Sequence, residues 1–561
     1  MKAGASVQTV NIADALSQRA KEQPYTPAIF SPSGFDGQAR RRYVHWTYSE
    51  LDGKSDAIAA GLSHYGLHRG ARVALMVPPS LDFFALVFGL FKAGVAPVLI
   101  DPGIGTKPLK ICLAESEPEG FIGIAAAQAA RTVLGWARGH SKVNITVGGG
   151  WFGPKLADLI ELGQRRLDRG DWKVEPTSPA ELAAILFTSG STGIPKGAMY
   201  SHGNFAAQVQ MIGRAYDIEA GEVDLPTFPP FALFDPALGM TTVLPEMDFR
   251  RPASVDPERI REAIEGFGVT NMFGSPALLN TASRWAVDEG VRFSTLRRVI
   301  SAGAPVPTEV LARTRQMMAP EGKIHTPYGA TESLPVASIE SREVLEDTGA
   351  QTLVGGGVCV GLPVAPAQVR IIEICDEPIA SWSDASELAQ GEIGEITVAS
   401  PTVTSGYWGR PHQSELAKIT ELIDGQACLV HRMGDVGYRD AQGRVWFCGR
   451  KSQRVQTSDG PLYTSQIEAV FNRHPDVYRT ALVGIGAVGH QHPVLCVELA
   501  PGTSPNQRQL FGQLADIAKS TPLTAAIETF IIHPGFPVDI RHNAKIGREA
   551  LGKWAAKQVS R

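Results

Sequence analysis

The sequence predicts an α/β protein with a large, multi-layer N-terminal body and a small α+β C-terminal domain. Strand-like and helix-like stretches alternate through the N-terminal half, which is typical of sheets covered by helices. From about residue 450 the pattern changes to a compact unit of about 110 residues, an ordinary domain size. We therefore expect a body over residues 1–449 and a mobile domain over residues 450–561.

Local patterns justify the N-terminal elements in order. Residues 56–63 favour a helix, and the apolar run 71–77 favours a strand. Residues 80–94 predict a helix, with Ser80 as the N-cap and Gly94 as the C-cap. The apolar residues 96–101 that follow predict another buried strand.

The C-terminal elements are shorter. The sequence predicts a helix over 464–474, then strands over 480–485 and 493–499. A polar helix over 507–518 and a strand over 528–533 complete the unit. Mixed short helices and strands of this kind indicate an α+β domain.

Composition restricts the class of protein. The 561 residues carry a formal net charge of -4, so no basic excess points to a nucleic-acid partner. The most apolar run, 83–91, ends at Lys92 and is too short for a transmembrane segment. The start lacks the apolar core of a signal peptide, and the six cysteines form no CxxC pair. We expect buried thiols and a cytoplasmic protein.

The stretch LFTSGSTGIPKGAMYSHGNF, residues 186–205, predicts a phosphate-binding loop. Backbone N–H groups in a glycine-rich turn form a concave anion site, and hydroxyls and Lys196 add donors. It departs from the common GxxxxGK[ST] pattern, because a strand over 197–202 and a helix capped by Asn204 are expected after Lys196. A flexible surface loop is the alternative, but the apolar strand 181–187 directly before it favours a nucleotide.

TSGSTGIPKG closely resembles the phosphate loop of the adenylate-forming superfamily, which includes acyl-CoA synthetases, luciferases and adenylation domains. Other stretches resemble the superfamily's motifs in the same order along nearly the whole chain: WTYSEL at Trp46, LFKAGVAPVLIDP at Leu90, SAGAP at Ser301, YGATES at Tyr328, GEIGEITVASPTVTSGYW at Gly391, HRMGDVGYRDAQGRVWFCGR at His431 and RHNAKIGR at Arg541. The resemblance implies ATP and Mg²⁺ as cofactors. It also implies attack of a carboxylate on the α-phosphorus, giving an acyl-adenylate and pyrophosphate.

The resemblance assigns most of these motif residues to ATP. The β- and γ-phosphates are expected to bind Thr188, Ser189, Gly190, Ser191, Thr192, Gly193 and Lys196. The adenine pocket is expected to comprise Gly303, Ala304 and Pro305, with Tyr328 stacking on the base beside Gly329. Asp435 is expected to accept the ribose hydroxyls, and Arg450 to reach the ribose or phosphate, with a hinge ion pair as the alternative for Arg450.

Three residues are expected to act on the reaction itself. Thr331 would contact the α-phosphate, and Glu332 would bind Mg²⁺ together with Thr188, since Mg²⁺ prefers oxygen ligands. Lys545 would bridge the carboxylate and the α-phosphate during adenylation. The alternatives are a solvated surface carboxylate for Glu332 and an exposed lysine for Lys545. His202 is expected to be a structural residue.

Several positions depart from the pattern of thioester-forming relatives. Pro236 stands where many acyl-CoA synthetases have a histidine, and Ser452 replaces the usual hinge Asp or Lys. In the following loop Asp459, Thr464 and Gln466 stand where those relatives carry Gly, Pro and Glu. Transfer of the acyl group to coenzyme A is therefore not the favoured second step.

The strings FPPFALFDPALG, FGSPAL, SAGAPVP, TPYGATE and FPVDIRHNAKIGRE closely resemble the β-lactone synthetases of olefin biosynthesis, a family within the superfamily. This implies a long-chain 2-alkyl-3-hydroxy acid, whose own 3-hydroxyl closes a four-membered ring and expels AMP. Other enzymes of that pathway are implied as partners, in a shared assembly. The substrate is expected to contact Phe231, Phe234, Asp235 and Pro236.

Alternatives remain at this level. A long-chain fatty acid CoA ligase or acyl-AMP ligase would share the same motifs, as would a non-catalytic nucleotide-binding protein. The 3-hydroxyl needs a proton acceptor, for which Asp235 and the AMP phosphate are candidates. Asp235 precedes a proline, so a turn-forming role is the alternative for it.

Overall fold

The computed structural model describes residues 10–38, 40–150, 152–187, 194–538 and 546–559. Three features of this part of the chain position the functional site. They are a large mixed sheet, a second sheet covered by helices, and a smaller C-terminal unit. The α/β class predicted from the sequence is confirmed.

The largest sheet has 14 strands within the described residues. In spatial order its strands are Gln368–Ile372, Gly394–Ala399, Gln426–Arg439, Val445–Arg450, Val358–Pro363, Ser333–Glu340, Lys323–Ala330, Arg298–Ile300, Asn271–Phe273, Val223–Pro226, Thr241–Val243, Pro27–Phe35 and Arg41–Thr47, with Lys418–Ile423 paired to the third. The strands between 223 and 325 pair in parallel, whereas the hairpins on both sides pair antiparallel. The two pairing modes meet at strand Lys323–Ala330.

A six-stranded sheet forms the second layer in the described part of the chain. Its spatial order is Val143–Val147, Gly120–Ile124, Arg72–Met76, Ala96–Leu99, Leu182–Phe187 and Gly197–Ser201. The last two strands pair antiparallel, and the predicted phosphate loop connects them. Residues 188–193 of that loop lie outside the described residues, as do residues 539–545.

Helices cover the faces of these sheets. The α-helices are Asp14–Glu22, Tyr48–Leu62, Leu81–Lys92, Thr106–Glu115, Ala125–Leu134, Leu156–Asp168, His202–Ala215, Asp235–Leu238, Pro257–Phe267, Pro276–Asp288, Thr308–Met317, Ser341–Glu343, Gly349–Leu353, Pro411–Ala417, Thr464–Phe471, Gln507–Lys519 and Arg548–Val559. Helix Leu81–Lys92 is almost wholly buried, which explains its continuous apolar sequence. No helix in the described residues is long and apolar enough to cross a membrane.

The C-terminal residues form a unit with its own apolar core. Strands Val477–Ile485, His492–Leu499 and Thr529–Ile532 make a three-stranded sheet, preceded by the hairpin Val455–Thr457 and Gly460–Leu462. Two clusters of buried side chains between residues 455 and 555 pack on this sheet. A separate core is what an independent domain requires, and we retain the division at residues 449 and 450 as a proposal.

Most predicted elements are confirmed, and the differences have local causes. Ser80 caps its helix as expected, accepting from the Phe83 backbone N–H at 3.3 Å. The predicted C-cap Gly94 is wrong by one residue, because the helix ends at Lys92 and Ala93 is the C-cap. The helix predicted from residue 56 begins at Tyr48, because Thr47 and Glu50 form a capping box. The expected cap at Asn204 is wrong. Ser201 is the N-cap, and Asn204 is the third helical residue, bonding back to the Ser201 N–H at 3.0 Å.

Two predictions on buried polar groups have mixed outcomes. Cysteines 112, 359, 448 and 496 are buried free thiols, but Cys375 and Cys428 are only half-buried. His202 is buried and its Nδ1 accepts from the Ile12 backbone N–H at 3.2 Å. Burial lowers the pKa of His202 to about 4, so the ring stays neutral in this structural contact.

Candidate active site

A cavity of about 810 Å³ brings together residues from motifs that are far apart in the sequence. It lies where the large sheet meets the residues around 196 and 407. The predicted site residues that line it are Lys196, Phe231, Phe234, Asp235, Gly303, Ala304, Pro305, Tyr328, Gly329, Thr331, Glu332, Asp435 and Arg450. Ligand sites are usually concave, with a few polar groups on an apolar wall, as here.

Some predicted residues are not part of this lining. Pro236 is buried in the short helix Asp235–Leu238 and is not among the residues lining the cavity. Residues 188–193 and Lys545 lie outside the described residues, so their predicted roles remain predictions.

A tight hairpin presents Thr331 and Glu332 to the cavity. They connect strands Lys323–Ala330 and Ser333–Glu340, which pair antiparallel. The tip is held from two sides. The Tyr200 hydroxyl donates to the Thr331 carbonyl, and the Thr404 N–H donates to the Glu332 carbonyl at 2.9 Å. These contacts fix the backbone from which both side chains project.

The Glu332 carboxylate is positioned by a buried tyrosine. The Tyr407 hydroxyl donates to Glu332 Oε1 at 2.6 Å. Burial first, and then the Glu332 charge, raise the pKa of Tyr407, so it remains a hydrogen-bond donor. Among the described residues the other oxygen, Glu332 Oε2, has no hydrogen-bond partner. One oxygen of Glu332 is thus anchored and the other is available to a ligand.

Lys196 lies beside this carboxylate. Its Nζ is 4.8 Å from the centre of the Tyr407 ring, within cation–π range. Burial lowers the pKa of Lys196, whereas the negative charge of Glu332 opposes that shift. Tyr407 therefore contacts both predicted ATP-site residues, the cation through its ring face and the carboxylate through its hydroxyl.

Asp435 forms the opposite polar wall with Tyr328 and Arg450. Tyr328 donates its hydroxyl to Asp435 Oδ2 at 2.6 Å, and Arg450 Nη1 lies 2.9 Å from Oδ1. Asp435 and Arg450 face each other on adjacent antiparallel strands, so the sheet register itself sets the ion pair. Burial raises the pKa of Asp435, against the lowering effects of Arg450 and Tyr328.

Replacing Asp435 with asparagine is expected to raise the KM for ATP by roughly ten- to a hundredfold. The change keeps the shape but removes the charge, and hydrogen bonds to charged groups contribute about 1.5–3 kcal/mol. Steady-state kinetics at varied ATP concentrations measure this effect. Tyr328→Phe is the matched control, because it removes only the competing donor to Oδ2. An unchanged KM in Asp435→Asn would contradict the assignment of this wall to the nucleotide.

Two glycines shape the predicted adenine wall. Gly303 adopts φ +96°, a conformation that side chains with a Cβ rarely adopt. A Cβ on Gly329 would lie 2.9 Å from both Leu334 Cβ and the Ser333 carbonyl oxygen. The pairing between the hairpin strands shifts register at this point, between Tyr328 and Ala330. Glycine at 329 therefore permits the bulge next to the hairpin tip.

The far end of the cavity is aromatic and apolar. The rings of Phe231 and Phe273 stack with centroids 4.1 Å apart, and Phe228 lies 5.5 Å from Phe231. Leu238 and Met240 also line this end. The cavity thus continues from a charged region at Glu332 and Asp435 to an apolar region suited to a hydrocarbon chain.

Two residues of the site were not assigned a role from the sequence. Tyr407 lies within the recognised stretch GEIGEITVASPTVTSGYW, so its motif was found although its contact with Glu332 was not. Asp224 also lines the cavity, but it lies on strand Val223–Pro226 without any motif that would mark it. Only the folded structure identifies Asp224 as a site residue, since its hydrogen-bond partner Asn271 is distant in the sequence.

A family model described as "AMP-binding enzyme" matches residues 16–408. The chain belongs to the AMP-binding enzyme family. Curated relatives include an olefin beta-lactone synthetase of Stenotrophomonas maltophilia (strain K279a), 53% identical over 98% of this chain and 99% of the relative. Another, from Xanthomonas campestris pv. campestris, is 51% identical over 98% of each chain. These findings confirm the resemblance stated from the motifs.

A solved structure of low sequence identity shows the same fold. The structure of ATP-bound MatB from Rhodopseudomonas palustris matches with a TM-score of 0.75 at 19% identity, covering 98% of this chain and 100% of that chain. At this identity the likeness concerns the fold alone. The mixed α/β body followed by a small C-terminal unit is therefore an arrangement that this AMP-binding enzyme shares with relatives of low sequence identity.

The cavity of this AMP-binding enzyme suits Mg²⁺ only together with a phosphate ligand. No group of three or more His, Cys, Asp or Glu side chains in the described residues could hold a metal ion. Mg²⁺ commonly binds through one or two carboxylates together with substrate phosphates and water. Glu332, with one anchored and one available oxygen, fits that donor set.

Two of the positions that differ from the pattern of thioester-forming enzymes, Thr464 and Gln466, are involved in packing. Gln466 donates from Nε2 to the Gly355 carbonyl at 3.0 Å, and Thr464 is buried beside Gly449. Both belong to helix Thr464–Phe471, which contacts helix Gly349–Leu353. In this arrangement the two side chains support the contact between the C-terminal unit and the body.

Replacing Gln456 with lysine is expected to change lactone formation less than twofold. Gln456 is held through its backbone, donating to Gln491 Oε1 at 2.8 Å and accepting from the Gln491 N–H at 2.9 Å. Lysine keeps both contacts, and surface changes of this kind usually alter stability by under about 0.5 kcal/mol. The measurement is the initial rate of lactone formation. A large loss of this rate would show that the hairpin containing Gln456 helps to position the reacting groups.

Proposed function

We propose that this AMP-binding enzyme is an ATP-dependent β-lactone synthetase, converting a long-chain 2-alkyl-3-hydroxy fatty acid to a β-lactone, AMP and pyrophosphate. The observation that carries the proposal is the 53% and 51% identity, over nearly full length, to two olefin beta-lactone synthetases. The cavity supports it, because charged and apolar regions adjoin as an amphipathic acid requires.

In the first step a carboxylate oxygen of the acid attacks the α-phosphorus of ATP, and pyrophosphate leaves. Asp435 and Arg450 would hold the ribose side, and Gly303, Ala304 and Pro305 the base. Lys196 would bind the phosphates together with residues 188–193. When bound at Glu332, Mg²⁺ would neutralise charge that develops on the phosphates.

Lys545 is proposed as the cation that bridges the carboxylate and the α-phosphate. Negative charge on these groups would otherwise oppose their approach, and a fixed cation stabilises the transition state more than a mobile one. Thr331 would donate to the α-phosphate from the hairpin tip that Tyr200 and Thr404 hold in place. We propose that the C-terminal unit carries Lys545 to the cavity.

In the second step the 3-hydroxyl oxygen attacks the activated carbonyl carbon, and the bond to AMP breaks. Reacting groups held in one molecule reach effective molarities of about 10⁵–10⁸ M, which offsets much of the strain of a four-membered ring. No second substrate is required. The apolar end at Phe231 and Phe234 would bind the alkyl chains and exclude water, which would otherwise hydrolyse the adenylate.

Partners and location follow from the same proposal. Olefin formation by this route needs one enzyme that supplies the hydroxy acid and another that decarboxylates the β-lactone. Enzymes of those two reaction classes would be functional neighbours. We propose a multi-enzyme assembly in the cytoplasm.

The deciding experiment incubates the enzyme with ATP, Mg²⁺ and a 2-alkyl-3-hydroxy acid without coenzyme A. We expect β-lactone, AMP and pyrophosphate in equal amounts. Strict dependence on coenzyme A would instead identify a long-chain acyl-CoA ligase. Accumulation of acyl-adenylate without lactone would identify an acyl-AMP ligase. Absence of pyrophosphate with any acid would indicate a nucleotide-binding protein without this activity.

A further inference from the structure

A pair of buried carboxyl groups lies in the cavity wall near the apolar end. Asp224 and Asp235 are 3% and 4% exposed, and both line the cavity. They share a neighbour, because Thr242 pairs with Asp224 in the sheet and donates its hydroxyl to Asp235. Buried carboxyl groups without a cationic partner in contact are rare, because desolvation strongly disfavours their charged form.

The sheet register places Asp224 within a row of polar side chains. On the adjacent parallel strands, Thr242 and Asn271 are its direct neighbours, and Arg298 follows Asn271 in register. Asn271 Nδ2 donates to Asp224 Oδ1. On the other side, the Thr242 hydroxyl donates to Asp235 Oδ2 at 2.7 Å. Both carboxyl groups therefore accept hydrogen bonds from neutral donors.

The structure also decides between the two roles left open for Asp235. A turn-forming aspartate would accept from the backbone of its own turn, but among the described residues the Asp235 carboxylate accepts from the Thr242 hydroxyl. Its carboxyl group points to Thr242 and Asp224. It is thus part of a pair with Asp224, whereas the sequence marked Asp235 alone.

We infer that the Asp224–Asp235 pair is the general base that removes the proton of the substrate's 3-hydroxyl during ring closure. This rests on the proposed function. In the step, the O–H bond breaks and its proton passes to Asp224. The hydroxyl oxygen forms a bond to the carbonyl carbon, and the bond from that carbon to AMP breaks, with its electron pair leaving on AMP. The pair regains its negative charge by releasing the proton to water.

The electrostatics of the pair fit this role. Burial, and then the charge of Asp224, raise the pKa of Asp235, so Asp235 is neutral and donates to Asp224. Burial raises the pKa of Asp224 to about 7. A general base works best when its pKa is close to the working pH. At neutral pH the pair therefore carries one proton and can accept a second.

Other charged groups around the pair are already neutralised or remain uncharged. Arg298 Nη1 binds Glu222 Oε2 at 2.6 Å, and this ion pair lies beside Asp224. Tyr48, packed near Asp235, donates its hydroxyl to the Met240 carbonyl at 2.6 Å. Burial and the neighbouring Asp235 raise the pKa of Tyr48, so it stays protonated.

The test separates the two half-reactions in Asp224→Asn, Asp235→Asn and the wild type. Pyrophosphate release reports adenylation, and single-turnover lactone formation reports closure. Asp224→Asn is expected to slow closure at least about 100-fold with pyrophosphate release within twofold of wild type, since general bases contribute 10²–10⁴-fold. Asp235→Asn is expected to lose less, because its amide still donates to Asp224. In the wild type, closure should rise with pH through about 7, and this dependence should vanish in Asp224→Asn.

The controls distinguish a base from a structural pair. Asp82→Asn removes another carboxyl whose pKa burial raises, outside the cavity lining, and should leave both steps unchanged. A 2-alkyl acid without the 3-hydroxyl should be adenylated equally by all variants. Closure at the wild-type rate in Asp224→Asn would overturn the inference and assign the proton to the AMP phosphate. Equal loss of adenylation and closure in Asp224→Asn would also overturn the inference. So would a lowered melting temperature of this variant with full activity of its folded fraction.

Failure of the proposed function gives a different result. If the wild type releases pyrophosphate only with acids lacking a 3-hydroxyl, or forms no lactone from the hydroxy acid, the function is wrong whatever the variants do. If the wild type forms lactone and the Asp224→Asn variant does so equally fast, only the assignment of the base is wrong.

Discussion

Glu332→Gln is expected to lower the rate of adenylate formation on the order of 100-fold or more at ordinary Mg²⁺ concentrations. The neutral amide keeps the contact with Tyr407 but is a much poorer ligand for a hard cation. Pyrophosphate release, measured against Mg²⁺ concentration, should show a higher concentration for half-maximal rate. Equal Mg²⁺ dependence in wild type and variant would show that Glu332 does not bind the metal.

Tyr407→Phe provides the matched control for Glu332. It leaves the carboxylate intact but removes the hydroxyl that holds Oε1 at 2.6 Å. Groups that orient a metal ligand typically contribute about ten- to a hundredfold, so the loss should be smaller than in Glu332→Gln. The cation–π contact with Lys196 is kept, because phenylalanine retains the ring. A loss as large as that of Glu332→Gln would indicate that Tyr407 acts on the phosphates directly.

Lys545→Ala is expected to abolish adenylate formation while leaving ATP binding largely intact. In the proposed mechanism this cation acts on the transition state, whereas Lys196, Asp435 and Arg450 supply the nucleotide contacts. Preorganised charges of this kind contribute about 10²–10³-fold to the rate. Pyrophosphate exchange reports the reaction, and calorimetric titration with ATP reports binding.

Lys557→Ala is the control for this change. Lys557 is an exposed lysine in the last turn of helix Arg548–Val559. Its replacement removes one positive charge from the C-terminal segment, as Lys545→Ala does. Its activity should equal that of the wild type. Unchanged turnover in Lys545→Ala, or the same loss in both variants, would contradict the role assigned to Lys545.

The fold class and the order of the motifs could be predicted from the sequence because each depends on local patterns. Apolar strands, the Ser80 cap and the co-linear motifs are all readable within a few residues. The same reasoning identified Glu332, Asp435 and Tyr328, which the structure brings to one cavity. The cap at Asn204 was wrong because Ser201 and Asn204 are both good capping residues, and spacing alone does not distinguish their roles.

Several contacts that organise the site could not be predicted, since they join residues more than 40 positions apart. Tyr407 and Glu332 are 75 residues apart, and Asp224 and Asn271 are 47 apart. Their proximity follows from which strands become neighbours in the large sheet. Asp235 was a candidate from its string FPPFALFDPALG, but nothing in the sequence linked it to Asp224 on strand Val223–Pro226.

The most direct test of the central claim uses an acid whose two carboxylate oxygens are labelled with ¹⁸O. If the carboxylate is adenylated and the unlabelled 3-hydroxyl then closes the ring, each AMP will carry one ¹⁸O atom, and the lactone will retain one in its carbonyl group. Unlabelled AMP, with both ¹⁸O atoms retained in the lactone, would show that the hydroxyl and not the carboxylate is activated, and would contradict the mechanism.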